Sequence, residues 1–145
     1  MQKDKIFAVI DTNVLVSAYY TLQRLSNPTI ILNNIFNKNI TPIYNHEIIE
    51  EYKEVLSRSK FNFPHQLIDE LIDVVLTVGI KINKKEFSAE NFPDPKDIVF
   101  YEVKMSKEDS YLVTGNIKHF PQDPMIVTPA EMVEILKEKG LLNEY

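Results

Sequence analysis

Asp11 is the first residue whose type and position could support chemistry, because it directly follows a short apolar run near the start of the chain. The run Ile6 to Ile10 is too short for a helix and is typical of a strand covered on both faces of a parallel sheet. Ligands of open α/β sheets collect beyond the carboxyl ends of the strands. A carboxylate at that edge is therefore well placed to hold a cation. The alternative is that Asp11 or Asn13 only caps the helix that begins near Val14.

A second candidate acid lies on the helix that Asn45 is predicted to cap. At about 100° per residue, the apolar side chains of this helix form one core-facing stripe. Glu50 and Glu54 fall nearly opposite that stripe, and Glu47 only slightly less so, which is typical of a solvated acidic face. Glu51 lies closest to the apolar boundary, where a side chain can lean over the edge of the sheet. A solvated face therefore explains Glu51 least well.

A third acidic segment runs from Asp94 to Asp97. An ordinary helix start accounts for it, with Asp94 as N-cap, Pro95 in the first turn, and Asp97 favoured by the helix dipole. The alternative is that this helix start points towards Asp11. Close carboxylates repel one another unless a cation intervenes, so such an arrangement would indicate a metal site.

The end of a later predicted strand, Val113-Thr114-Gly115-Asn116, is the last candidate. Gly115 would let the backbone approach a ligand closely, and Asn116 offers a neutral oxygen. A simple turn is the alternative explanation for this stretch.

Composition indicates a single globular domain over residues 1–145, with 44% hydrophobic and 26% charged residues. The absence of cysteine excludes disulfides, thiolate metal sites and a cysteine nucleophile. No apolar run reaches the length of a membrane span and no secretory signal is evident, so we expect a cytoplasmic protein that does not enter a membrane. The net charge of −5 argues against a broad basic surface for duplex nucleic acid, but does not exclude a nucleic-acid substrate.

The candidate residues sit within a regular alternation of predicted strands and helices. Short apolar segments are typical of strands, and capping signals mark several helix starts, including Asn27-Pro28 and a capping box at Thr128. A polar loop is predicted from Glu86 to Pro93. Alternation of this kind predicts βαβ units, hence an α/β fold with a mainly parallel sheet.

Other site classes find little support. The glycine-rich dinucleotide and phosphate-binding motifs are absent, as is the GxSxG elbow. His46, His65 and His119 lack metal-ligand spacing, so each is expected to be a surface or packing residue. A receiver-like phosphoacceptor would need a paired acid near the chain start and a lysine at a late strand end, and Lys118 is displaced from that position.

Five segments together resemble the PIN-domain family. They are VIDTNVLVSA, HEIIEEYKEVLSRSKF, DPKDIVFYEV, YLVTGNIKHFP and IVTPAEMVEIL, in the family's order from Lys5 to about Leu136. The chain is most similar to the toxin components of bacterial toxin–antitoxin pairs, relatives of the VapC ribonucleases. The resemblance implies a single PIN-like domain with a three-layer α/β/α sandwich.

The same resemblance implies Mg²⁺- or Mn²⁺-dependent cleavage of single-stranded RNA, an antitoxin protein as partner, and a homodimer. Carried over by position, the acids that hold metal and support catalysis are Asp11, Glu51 and Asp97. Asn116 is added as a metal ligand, and the supporting polar residues are Asn13, Asp94 and Thr114. Lys60, Lys118 and Phe120 are candidates for substrate contact, although the sequence does not place them on one face.

Asn116 is the one clear departure, because many relatives carry a fourth acid there. An amide oxygen can ligate a metal but brings no charge, which weakens the case for a second metal. Two hypotheses therefore stand. The first is a metal-dependent endoribonuclease toxin, and the second is a weak or inactive PIN-like domain that binds RNA or a partner protein.

Overall fold

The computed structural model describes residues 5–83 and 91–142, and in that part of the chain five strands alternate with six α-helices. The strands are β1 Ile6–Ile10, β2 Ile40–Tyr44, β3 Ile80–Lys81, β4 Ser110–Val113 and β5 Ile126–Val127. The helices are α1 Thr12–Tyr20, α2 Asn27–Phe36, α3 His46–Leu56, α4 His65–Val78, α5 Ile98–Met105 and α6 Pro129–Glu138. Short 3-10 turns cover Pro95–Asp97 and Ile117–His119.

The strands form one sheet in the order β3-β2-β1-β4-β5, and every pair in it is parallel. The predicted α/β/α architecture with a parallel sheet is thus confirmed. From β1 the chain winds outwards to β2 and β3, and then returns to add β4 and β5 on the other side. The switch point lies between β1 and β4, where the register pairs Ile10 with Val113. Crevices form at such points beyond the carboxyl ends of the strands.

Side-chain caps mark three of the six α-helix starts in the described ranges, at Ser26, Asn45 and Thr128. The capping box at Thr128 is present, with the Thr128 side chain accepting from the Glu131 N–H and the Glu131 side chain accepting from the Thr128 N–H. The predicted Asn27 cap is wrong, because Ser26 is the N-cap and accepts from the Thr29 N–H at 3.2 Å. Ser26 is favoured since its hydroxyl also lies 2.6 Å from that of Thr21.

Two further predictions concern the polar loop from Glu86 to Pro93 and the strand that contains Pro42. Most of the loop predicted from Glu86 lies outside the described residues. Strand β2 forms although it contains Pro42, and its ladder with β3 starts only at Ile43, after the proline. In the part of the chain that the structure describes, no helix combines the length and apolarity needed to cross a membrane.

Tyr52 connects helix α3 to the end of strand β1. Its side chain is 2% exposed, and its ring lies 6.5 Å from that of Phe100 on α5. The Tyr52 hydroxyl donates a hydrogen bond to the backbone carbonyl of Ile10, the last residue of β1. Since Asp11 follows Ile10 and Glu51 precedes Tyr52, this bond sets the position of two candidate acids relative to each other.

Replacing Tyr52 with phenylalanine removes this buried bond without changing the ring. We expect the free energy of unfolding to fall by about 1–2 kcal/mol, the usual cost of losing a buried hydrogen bond. Urea denaturation measures it, with Tyr20→Phe as the matched control because Tyr20 is 61% exposed. Equal effects of the two substitutions would contradict a connecting role for the Tyr52 hydroxyl.

Candidate active site

Asp11 lies directly beyond β1, in the middle of the sheet, and is 5% exposed. It occupies the N-cap position of α1, yet its side chain makes no capping hydrogen bond. Instead, Asp11 Oδ2 accepts from the Thr114 hydroxyl at 2.8 Å and from Asn13 Nδ2 at 3.2 Å. Thr114 is fully buried and follows β4. The Asp11 carboxylate is therefore held across the switch point by side-chain donors, and helix capping does not explain it.

The turn after β4 is bound to the first turn of helix α1. Asn13 Oδ1 accepts from the backbone N–H of Gly115 at 3.2 Å, and a Cβ added at Gly115 would lie 3.4 Å from that oxygen. The backbone N–H of Asn116 donates to the Thr114 hydroxyl at 3.0 Å. Asn116 itself is exposed.

Glu51 approaches this crevice from helix α3. Its Oε2 accepts a hydrogen bond from the hydroxyl of Thr12, the first residue of α1, and its side chain is partly buried. Glu50 and Glu54 are exposed, and Glu54 pairs with Arg58 at 2.9 Å. Glu51 is less exposed than its acidic neighbours, in agreement with the helical periodicity, although Glu47 and Glu54 line one groove with it.

Asp97 reaches the site from the 3-10 turn before α5. Its Oδ2 lies 3.1 Å from His119 Nδ1, and the Asp97 side chain is only 14% exposed. Asp94 is exposed, and its Oδ1 accepts from the Lys96 N–H at 3.0 Å, so capping accounts for Asp94. It does not account for Asp97. His119, expected as a simple surface or packing residue, proves to be the partner of this acid.

The three acids share one electrostatic environment. Burial raises the pKa of Asp11 to about 6, the Thr114 hydrogen bond opposes this rise, and the charges of Asp97 and Glu51 add to it. Burial also raises the pKa of Asp97, and its bond to His119 opposes that effect. Among the ion pairs found within residues 5–83 and 91–142, none includes Asp11 or Glu51. Their negative charges thus lie close together without a salt-bridge partner there.

The donor set fits a hard divalent cation. One oxygen of each carboxylate is held by a protein donor, namely Thr114 and Asn13 for Asp11, Thr12 for Glu51, and His119 for Asp97. The other oxygen of each accepts no side-chain hydrogen bond within the described ranges. Oxygen ligands of this kind suit Mg²⁺ and Mn²⁺, and Mg²⁺ keeps several waters when it binds.

The three acids do not form a preorganised metal site in the described part of the chain. No group of three or more His, Cys, Asp or Glu side chains in the described ranges is arranged closely enough to hold a metal ion. Mutual repulsion keeps unneutralised carboxylates apart, and a cation would remove that repulsion. Asp97 and Glu51 are near enough to Asp11 for their charges to raise its pKa, and Asn116 is exposed in the turn after β4. Convergence of all four side chains on one cation stays a prediction, as do their roles as ligands.

Of the three candidate substrate residues, Lys118 and Phe120 line one pocket, and Lys60 does not belong to its lining. Phe120 is 7% exposed and packs edge-to-face on Phe92 at 5.9 Å, so its ring is not free to stack on a base. Lys60 lies beyond the far end of α3, with its Nζ 5.1 Å from the centre of the Phe61 ring. Lys118 is exposed in the turn that carries His119, next to the crevice.

Sequence reasoning missed Thr12 and His119 as parts of this site. A threonine at the first position of a helix gives no signal beyond a helix start, and its contact with Glu51 is made only in the folded chain. For His119 the one available signal was its place in the turn after Thr114, which was already a candidate strand end.

The family model described as PIN domain matches residues 8–118. The matched span includes all three acids and Asn116, and it covers well over half of the chain. The chain belongs to the PIN-domain family. PIN domains are generally nucleases, and most are ribonucleases that use divalent metal ions. Neither the curated proteins nor the solved structures provide a match to this PIN domain.

The raised pKa of Asp11 gives a pH dependence of stability in the metal-free protein. Between about pH 4 and pH 6 the folded chain holds the Asp11 proton while the unfolded chain releases it, so the free energy of unfolding falls as the pH rises. With a pKa of about 6 instead of 3.8, the full cost above pH 6 is about 3 kcal/mol. Asp11→Asn should therefore be more stable than the parent at pH 7 in the presence of a chelator, by about 1–3 kcal/mol.

Thermal melts at pH 4 and pH 7 provide the measurement. The stability difference between Asp11→Asn and the parent should be smaller at pH 4 than at pH 7. Asp69→Asn is the control, because Asp69 is exposed on α4 and its substitution should change stability little at either pH. A parent that is more stable than Asp11→Asn at pH 7 without metal would contradict this account of the buried carboxylate.

Proposed function

We propose that this PIN domain is a metal-dependent endoribonuclease that hydrolyses phosphodiester bonds of single-stranded RNA. The observation that carries the proposal is the buried Asp11 beyond the carboxyl end of β1, which is bonded to Thr114 and whose pKa is raised by the charges of Asp97 and Glu51. Each of these carboxylates has one oxygen oriented by a side-chain donor, and in the described ranges its second oxygen accepts no side-chain hydrogen bond. Membership of a family that consists mainly of nucleases supports the same reaction class.

Asp11, Glu51 and Asp97 would hold Mg²⁺ or Mn²⁺, with the Asn116 amide as an uncharged additional ligand. Such an ion lowers the pKa of water and neutralises charge that develops on phosphate oxygens. The hydrogen bonds from Thr114 and Thr12 fix the carboxylate orientations before substrate arrives, which reduces the reorganisation needed during reaction.

Charge around the crevice favours one direction of approach for the RNA strand. A groove between α3 and the start of α5 is lined by Glu47, Glu51, Glu54 and Glu102 with Lys96, so it would repel phosphates. In the turn after β4, Lys118 is exposed and does not line this acidic groove. We therefore place the RNA backbone on the Lys118 side, where a cation can contact a phosphate.

A biological role as the toxin of a toxin–antitoxin pair is the finer part of the proposal. It rests on the similarity of the five segments to VapC-like ribonucleases. Under this proposal residues 1–145 form a single domain that acts in the cytoplasm, an antitoxin protein holds the nuclease in check, and the toxin dimerises.

A second candidate function is binding of RNA or a partner protein without turnover. The observation that favours it is Asn116, which brings no charge to a position where many relatives have an acid. The lack of a preformed cluster of acidic ligands in the described ranges points the same way.

Cleavage of a fluorescently labelled single-stranded RNA in the presence of Mn²⁺ distinguishes the two functions. Glu51→Gln should lose more activity than the roughly 10–100-fold typical of changes around a metal ligand, because it removes the ligand charge itself. Glu50→Gln is the matched control, being the same change on the exposed face of α3, and it should keep nearly full activity.

The outcomes of this assay separate the two functions and test the assignment of Glu51. If the parent binds the RNA but does not cleave it with Mn²⁺ or Mg²⁺, the second candidate function holds. If Glu50→Gln loses as much activity as Glu51→Gln, the acidic face of α3 acts through its overall charge, and the assignment of Glu51 as a ligand is wrong.

A further inference from the structure

His119 has an interaction that neither capping nor core packing explains. Its Nδ1 lies 3.1 Å from Asp97 Oδ2, and these residues belong to separate segments, one before α5 and one after β4. The Asp97 side chain is 14% exposed and that of His119 is 41% exposed. Most of the contact is thus shielded from water, while one edge of the imidazole ring stays at the surface.

With the Asp97–His119 contact, each of the three candidate acids has a side-chain hydrogen-bond donor. Hydroxyl donors hold one oxygen of Asp11 and one oxygen of Glu51, and the imidazole holds one oxygen of Asp97. Groups that hydrogen-bond to metal-ligating carboxylates fix the orientation of the ligands and are worth about 10–100-fold in metal affinity. Asp97 ends a short 3-10 turn directly before α5, and the bond to His119 joins it to the turn after β4.

We infer that His119 is a positioning residue, whose Nδ1–H directs the free oxygen of Asp97 towards a divalent cation shared with Asp11 and Glu51. The inference rests on the proposed function, since it requires that these acids bind metal. It also assigns the tautomer: Nδ1 carries the proton that is donated to Asp97. The family match ends at residue 118, so it does not by itself cover this residue.

The opposite effect of His119, which is to weaken metal binding, can be tested in the same way. If the His119 bond holds Asp97 away from the cation, it competes with metal binding, and its removal would raise metal affinity. The two roles differ in sign, which makes the affinity of the metal itself a better readout than RNA cleavage.

Calorimetric titration of the full chain with MnCl₂ provides that readout. His119→Ala should weaken Mn²⁺ binding by about 10-fold or more. His119→Asn should restore much of the affinity, because its Nδ2 can donate from nearly the position of Nδ1. His119→Gln, whose amide corresponds to the other ring nitrogen, should not restore it. His65→Ala is the control, being an exposed histidine on α4.

A double-substitution cycle shows whether His119 acts through Asp97. In an Asp97→Asn background, the further change His119→Ala should cause no additional loss of Mn²⁺ affinity. If circular dichroism shows that His119→Ala does not fold, the comparison of His119→Asn with His119→Gln is the test. Equal Mn²⁺ affinities of these two variants would overturn the inference.

Failure of the inference is distinguishable from failure of the proposed function. A parent chain that binds no Mn²⁺ refutes the metal-dependent function. A parent that binds Mn²⁺ and loses affinity in Asp97→Asn, but not in His119→Ala, keeps the function and refutes the role of His119. A gain of affinity in His119→Ala would show competition and refute it as well.

Discussion

Burial of the Asp11 carboxylate is the constraint on which the rest of the site depends. A negative charge that is 5% exposed, with Asp97 and Glu51 close enough to raise its pKa, costs stability unless the surroundings compensate. The Thr114 hydroxyl and the Asn13 amide compensate in part by donating hydrogen bonds. The remaining cost is what a divalent cation would remove, so stability and metal binding are coupled at this position.

The parallel sheet explains why the compensating groups are available. All carboxyl ends of the strands meet at one edge, so Asp11 after β1 and Thr114 after β4 become neighbours although they are far apart in sequence. Tyr52 then fixes helix α3 to the last residue of β1, which brings Glu51 to the same edge. The site is therefore a consequence of strand order and of one buried hydrogen bond, and not of a contiguous motif.

Sequence patterns predicted the parts of this arrangement that local physics determines. The buried strand before Asp11, the helical phase of Glu51 and the capping box at Thr128 all follow from spacing over a few residues. The partners of the acids could not be predicted, because the contacts of Thr12 with Glu51 and of His119 with Asp97 join segments that meet only after folding. The prediction of Asn27 as the cap was wrong because Ser26 takes that position. The contact of Thr21 with Ser26 that favours it is also made only in the folded chain.

Anomalous diffraction from crystals of the full chain soaked in Mn²⁺ tests the central claim most directly, because it locates the ion without reference to activity. The account predicts a peak in the crevice at the carboxyl edge of β1 and β4, with oxygens of Asp11, Glu51 and Asp97 as its protein ligands. Crystals of Asp11→Asn under the same conditions should lack that peak. Saturating Mn²⁺ that gives no peak in this crevice, or a peak bound by other residues alone, would contradict the account.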